Sequence, residues 1–238
     1  METQKRNSWG ALVSVPENVE KLISSATAEV ETGIISTHQR KGFWRAVNID
    51  CYGYTLRPLL AVVQVRESTK NKYGISTRKS YALAGRNEDG TTFLHGVPSQ
   101  KVHAAIRRDD APGGVVKACE AWIFGCAEKD VPKIIRQGDV ALVPCKKLPP
   151  TAEKISFETR CIIRESHLLE TAGMWVEDGS IPMMYVFSPS LTHLKGEHPY
   201  KEGGGENFYR VALSLEMERW TFAGGTQTQS PHAHFKGD

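Results

Sequence analysis

Strict alternation between apolar and polar residues marks two stretches of the chain, residues 155–163 and residues 209–217. Successive side chains of a β-strand point to opposite faces of the sheet, so a period of two predicts a strand with one buried face. One solvated face is typical of antiparallel sheets. Two apolar segments, residues 138–144 and residues 183–187, predict further strands in the same half of the chain.

The first half begins with a helical pattern and continues with strands. Apolar residues at 19, 22, 23 and 26 follow the spacing of an amphipathic helix, which Pro16 opens. Apolar segments rich in β-branched residues then predict strands, and the Asp89-Gly90 turn predicts a hairpin between the last two. These strands are expected at 43–49, 59–65, 80–84 and 91–94, with a polar connector at 66–79. Together they predict an antiparallel meander.

Helical spacing returns between residues 99 and 135. We expect Ser99 to cap a helix reaching 107, a second helix over 115–127 and a short third helix ending near 135. The predicted fold class is therefore α+β, with two antiparallel β-rich regions separated by a short helical segment. The predicted divisions are an N-terminal region of helix, meander and helices (1–130), a C-terminal antiparallel β module (131–223) and a flexible tail (224–238).

Composition is that of an ordinary globular protein, since 40% of the 238 residues are hydrophobic and 24% are charged. The five cysteines include no Cys-x-x-Cys pair, which argues against a zinc ribbon and favours reduced cysteines in the cytoplasm. The polar first residues predict no signal peptide, and no apolar run approaches the roughly 20 residues of a membrane span. Dinucleotide-binding, P-loop and serine-hydrolase motifs are absent from the sequence.

Basic residues beside aromatic ones form the first candidate site. The net charge is only +3, so the case depends on clustering around Trp44 and Tyr73. This combination suits single-stranded nucleic acid, because cations meet phosphates and rings stack on bases. The plainer interpretation is a solvated loop whose lysines keep a sheet edge soluble. The candidate contacts are Arg40, Lys41, Trp44, Arg45, Lys70, Lys72, Tyr73, Arg78 and Lys79.

Three histidines and a glutamate form the second candidate, a site for a divalent transition metal. Glu165 and His167 lie two residues apart at a strand end, so they are expected on one face. His193 and His198 would complete a three- or four-ligand set of nitrogen and oxygen donors, which suits Zn, Mn, Fe or Ni. The plainer interpretation is that all four are ordinary polar residues at strand ends, because their spacing does not force them together.

A family resemblance is carried by residues 137–144, Gln-Gly-Asp-Val-Ala-Leu-Val-Pro, with Leu-Pro at 148–149. This segment resembles a motif of small uncharacterised bacterial β-rich proteins, which continue with Gly-His-Ala-His and later with Leu-Thr-His and a second histidine. The chain is similar to them at His167 and at 191–198, although Glu165 replaces the first histidine and the last spacing is wider. The resemblance covers about residues 136–200 and implies a shared β fold, but no reaction.

Three functions are compatible with these patterns. The leading hypothesis is a non-catalytic binding or accessory protein that engages DNA, RNA or a nucleoprotein assembly through residues 40–79. The alternative is a metal-binding β module, or a metal-dependent enzyme, that uses the glutamate and the histidines. A protein–protein interaction module is the third. The sequence leaves open whether the chain is an enzyme and in which oligomeric state it acts.

Overall fold

The α+β fold expected from the sequence is confirmed, with three antiparallel sheets among the described residues rather than two. A computed structural model describes residues 5–35, 44–71, 73–87, 90–109, 111–155, 159–179, 182–205 and 207–214. The chain forms two compact units, the first ending at Ile123 and the second beginning at Phe124. No helix among the described residues combines the length and apolarity that a membrane crossing requires.

The first unit is built on the expected four-stranded meander, in which neighbouring strands pair in chain order. Its strands are β1 (Trp44–Leu56), β2 (Leu59–Asn71), β3 (Gly74–Arg86) and β4 (Thr92–Val97). Its helices are α1 (Glu17–Ile35), α2 (Ser99–Arg108) and α3 (Pro112–Ile123). Val19 and Leu22 of α1 are fully buried and share a core with β2 residues such as Val63. That apolar stripe fixes α1 against one face of the sheet.

The polar connector predicted at 66–79 is wrong, because these residues continue β2 and β3. Their pairing runs without a break from Leu60 opposite Gly85 to Asn71 opposite Gly74. Alternation of apolar residues signals a strand only where one face is buried. Both faces are exposed here along residues 74–79, so the sequence lacks the signal although the backbone ladder is complete.

The second unit contains two antiparallel sheets that share one core. A six-stranded sheet has the order β5-β6-β14-β11-β10-β7, and a four-stranded sheet has the order β13-β12-β9-β8. Leu142 and Val186 from the first sheet are buried in one cluster with Leu169 and Leu191 from the second. A short 3-10 helix, Glu128–Lys133, precedes these sheets. The strands are β5 (Ile135–Gln137), β6 (Val140–Cys145), β7 (Ala152–Ile155), β8 (Arg160–Ile163), β9 (His167–Glu170), β10 (Gly173–Glu177), β11 (Met183–Phe187), β12 (Ser190–His193), β13 (Lys201–Glu202) and β14 (Phe208–Leu213).

The single strand predicted over 155–163 is wrong. β7 belongs to the six-stranded sheet and β8 to the four-stranded sheet, while residues 156–158 lie outside the described residues. Ile163 of β8 is buried in the common core, whereas Ile155 of β7 is exposed. The alternation of apolar and polar residues therefore continues across two strands of different sheets, and it does not show which sheet a strand joins. The predicted tail, 224–238, also lies outside the described residues.

Candidate metal centre

Two of the predicted ligands come together through strand pairing. β9 begins at His167 and β12 ends at His193, and the antiparallel register places these residues directly opposite each other. Directly opposed residues of adjacent strands have side chains in contact. Both histidines are buried, at 2% and 6% exposure, and their ring centroids lie 4.8 Å apart with the planes at 84°. Two buried imidazoles therefore meet edge to face at one end of the four-stranded sheet.

His198 reaches this pair from the loop that joins β12 to β13. Its ring centroid lies 4.8 Å from that of His193 and 6.0 Å from that of His167. The buried amide of Gln137 holds this loop, since its Nε2 donates to the carbonyl oxygens of Pro199 at 2.7 Å and Leu191 at 3.3 Å. These hydrogen bonds from β5 thus hold the loop that carries His198 close to His167 and His193.

Gly138 makes room for the His198 ring. It occupies the two-residue turn between β5 and β6 with a φ of 58°, a conformation that glycine adopts without strain. A Cβ atom built at this position would lie 2.7 Å from Nε2 of His198. The turn at 137–139, which is part of the segment that carries the family resemblance, therefore lies directly against the His198 ring.

The spacing of the three rings suits a small cation. One nitrogen of each ring lies within 4.8 Å of the corresponding nitrogens of the other two. Zinc–nitrogen bonds of roughly 2.0–2.1 Å in tetrahedral geometry place ligand nitrogens about 3.3 Å apart. Bringing the three nitrogens from separations of up to 4.8 Å to that spacing requires them to approach by at most about 1.5 Å.

The two edges of the His167 ring differ in their surroundings. Nδ1 lies 2.9 Å from the Ser166 hydroxyl and 3.9 Å from the Asp139 carboxylate, which itself pairs with Arg164 at 2.7 Å. This carboxylate favours the ring proton on Nδ1, which leaves the lone pair on Nε2. Nε2 is buried and has no partner within ordinary hydrogen-bond limits among the described residues. A metal ion would satisfy that atom, and a polar group held on the far ring nitrogen is usual for metal-binding histidines.

Burial also keeps His167 in the form that binds metals. Loss of hydration lowers the pKa of His167, and the neighbouring His193 and His198 lower it further. The Asp139 carboxylate opposes this effect, as does the carbonyl of Gln137. The net direction is downward, so the ring stays neutral at neutral pH. Neutral imidazole is the form that ligates a metal.

His193 is oriented by Glu197. The backbone N–H of Glu197 donates to Nδ1 of His193 at 3.2 Å, which places the ring proton on Nε2, 3.6 Å from the Glu197 carboxylate. A neutral ring that gives one nitrogen to a metal carries its proton on the other. Metal binding at either nitrogen therefore ends the bond from the Glu197 N–H, and we expect the turn at 194–197 to adjust when an ion enters.

Glu165 is not brought to the histidines. The prediction that it shares a strand face with His167 is wrong, because residues 164–166 form the turn between β8 and β9. Arg164 and Glu165 have positive φ values of 49° and 57°, and the Glu165 side chain is exposed. The carboxylates near the cluster are instead those of Asp139 and Glu197, which are not among the residues predicted from the sequence. Glu197 directly precedes His198 in the sequence, and this was the available signal, whereas Asp139 lies 28 residues before His167.

The described candidate nucleic-acid contacts belong to the first unit. Arg40, Lys41 and Lys72 lie outside the described residues, and Trp44 and Arg45 begin β1. Lys70 lies near the end of β2, Tyr73 follows it in the turn, and Arg78 and Lys79 lie on β3; all four are exposed. The structure thus gathers the described members on the outer part of the meander.

Comparison of the chain with protein-family models, with curated proteins and with solved structures finds no match. The resemblance seen in residues 136–200 therefore stays a prediction.

Proposed function

We propose that the second unit binds a divalent transition metal through His167, His193 and His198 and acts as a metal-dependent enzyme. The observation that carries the proposal is the buried three-histidine cluster, in which Nε2 of His167 has no hydrogen-bond partner among the described residues. A buried polar atom left without a partner costs about 1–3 kcal/mol, so a native site retains one only for a reason. Three imidazole donors suit Zn, Fe, Ni or Cu better than the oxygen-preferring Mg or Ca.

Ligand number favours a catalytic centre over a structural one. Structural zinc sites have four protein ligands, whereas catalytic sites have three and keep a position for water or substrate. His198 is half-buried and Glu197 is exposed, so the cluster is reached from solvent on this side. A metal with an open position polarises a bound water or carbonyl oxygen. The chain itself orients the rings. Asp139 and Ser166 lie at Nδ1 of His167, and Gln137 holds the loop that carries His198.

Metal content and metal-dependent stability test the proposal. We expect purified protein to contain close to one zinc, iron, nickel or copper ion per chain. We also expect added metal at about 100 times its Kd to raise the free energy of unfolding by roughly 2.7 kcal/mol. His198→Ala should abolish both effects, and it is the informative variant because its half-buried ring can be removed with the least damage to folding.

Glu165→Gln provides the matched control, since it removes a nearby carboxylate that the structure places outside the cluster. We expect its metal content and stability gain to equal those of the parent chain. Stoichiometry below about 0.1 ion per chain, together with no stability gain from any of the four metals, would overturn the proposal. A gain that persists in His198→Ala would place the ion elsewhere.

A further inference from the structure

The outer part of the β2–β3 hairpin, residues 66–79, is a second candidate site, independent of the metal centre. Pairing continues to the turn, yet the outer residues do not contribute to the core of the first unit. Tyr73 is 84% exposed and Ile75 is 64% exposed. A ladder that extends beyond the core with large side chains in solvent is not explained by stability, which favours a binding role.

Charge is concentrated in this hairpin. Residues 66–79 include five basic residues and one acidic residue, a net of +4, while the whole chain carries only +3. The remainder of the chain is therefore slightly acidic. A positive patch on such a background attracts polyanions and directs them to one place.

Register divides the described cations of the hairpin between two faces. Lys70 lies opposite Ile75, and Lys79 lies opposite Arg66. Residues an even number apart on one strand share a face, and directly paired residues of neighbouring strands do too, so these four residues lie on one face of the hairpin. Arg78 lies on the other face, directly opposite Glu67. Lys70 and Lys79 thus have no acidic residue directly opposite on β2 or β3, whereas Arg78 has Glu67 directly opposite.

An exposed aromatic ring accompanies the first of these faces. Nζ of Lys79 lies 5.3 Å from the centroid of the Trp9 ring, and Trp9 is 61% exposed. The segment holding Trp9 is fixed to the sheet, since its backbone oxygen accepts a hydrogen bond from the Tyr52 hydroxyl at 3.1 Å. A cation beside an exposed indole ring combines phosphate attraction with a stacking surface for a base.

We propose that the basic face, formed by Lys70, Lys79 and Trp9, binds single-stranded nucleic acid. Charge complementarity selects a polyanion, and the exposed ring selects one whose bases are free to stack. Base faces within a duplex are already stacked on their neighbours, so the ring adds nothing there. Of the described cations that the sequence predicts as contacts, Lys70 and Lys79 belong to this face and Arg78 does not.

Anisotropy titrations of the full chain with labelled oligo(U) and oligo(dT) at two salt concentrations test the proposal. We expect salt-dependent binding, and Lys79→Ala should lower the slope of log affinity against log salt by about 0.7 for a lost single-strand phosphate contact. Trp9→Ala should weaken binding at least fivefold, the lower limit for loss of one stacked base. Both positions are largely exposed, so the folded state is expected to survive, which circular dichroism verifies.

Arg78→Ala is the matched control because it removes the same charge from the opposite face. We expect less than a twofold change in affinity and an unchanged salt slope. Equal losses in Lys79→Ala and Arg78→Ala would overturn the face assignment. Binding of poly-glutamate or duplex DNA as tightly as oligo(U), or no salt-dependent binding at all, would overturn the nucleic-acid proposal, and neither result would bear on metal binding.

Discussion

Gly138 determines both the backbone conformation of the turn between β5 and β6 and the space available to the His198 ring. Its φ of 58° suits glycine, and a Cβ atom would press on Nε2 of His198 from 2.7 Å. We predict that Gly138→Ala lowers the free energy of unfolding by about 1–2 kcal/mol, the cost of a left-handed conformation for a residue with a side chain. Displacement of His198 should also weaken metal binding about 10- to 100-fold, as changes beside metal ligands do. Urea unfolding and metal titration measure the two effects.

Gly196 provides the control within the same loop that holds His198. Its φ is 71°, but a Cβ atom there would meet nothing within 4 Å. Gly196→Ala should therefore produce similar backbone strain while leaving metal affinity near that of the parent chain. An equal loss of metal affinity in both variants would mean that affinity depends on the loop conformation and not on the space that Gly138 leaves for the His198 ring.

For individual residues, the sequence predicts which side chains suit a metal better than it predicts which of them come together. His167, His193 and His198 were selected because imidazoles near strand ends suit metals, and they do converge. Glu165 was selected from strand periodicity, which fails because two successive non-glycine residues adopt positive φ at the turn. Such conformations are rare for these residue types, so no propensity rule signals them. Gln137 was missed because a buried amide acts through partners that are more than 50 residues away in the chain.

Helix α2 brings a titrating group to the sheet of the first unit. Burial lowers the pKa of His103, and the cations Arg107 and Lys79 lower it further. Nε2 of His103 lies 2.9 Å from the Tyr81 hydroxyl. Because the folded-state pKa is below the unfolded value of about 6.5, the unfolded chain takes up the proton first as pH falls. The contribution of His103 to the free energy of unfolding is therefore fully present above about pH 6.5 and is lost as the pH falls below it.

We predict that the melting temperature of the metal-free protein falls between pH 7 and pH 5 and that His103→Gln makes this fall shallower. Glutamine retains a hydrogen-bonding group for Tyr81 but does not titrate. His167 also has a lowered pKa, and its contribution is present in both proteins, so their difference isolates His103. Parallel melting curves of the two proteins across this pH range would contradict the assignment.

Among the elements, strands with a buried face were predictable and strands without one were not. The expected strand at 183–187 coincides with β11, whose residues 184–186 are buried. The outer parts of β2 and β3 pair as regularly but consist mainly of polar residues such as Ser, Thr, Lys and Arg, which sequence patterns assign to loops. A polar ladder is held by its backbone bonds and by an adjoining buried sheet, and neither is written into local side-chain periodicity.

Across the whole molecule, the two proposed activities belong to different units and should respond independently. The metal ligands come from β9, β12 and the loop after β12, all in the second unit, whereas the basic face belongs to the first. A ligand stabilises only those openings of the native state that destroy its site. Metal binding is thus expected to protect the second unit and to leave the first unit unchanged.

Hydrogen exchange with and without metal tests this separation. At about 100 times its Kd, the metal should slow exchange of the amides of Leu169 and Leu191 by up to about 100-fold, which corresponds to 2.7 kcal/mol. The amides of Val62 and Leu83, which are equally buried in the first unit, serve as the internal control and should not change. Equal slowing in both units would show that they open as one cooperative body. In that event the basic face and the metal centre would be coupled, because an ion in one unit would alter the stability of the hairpin in the other.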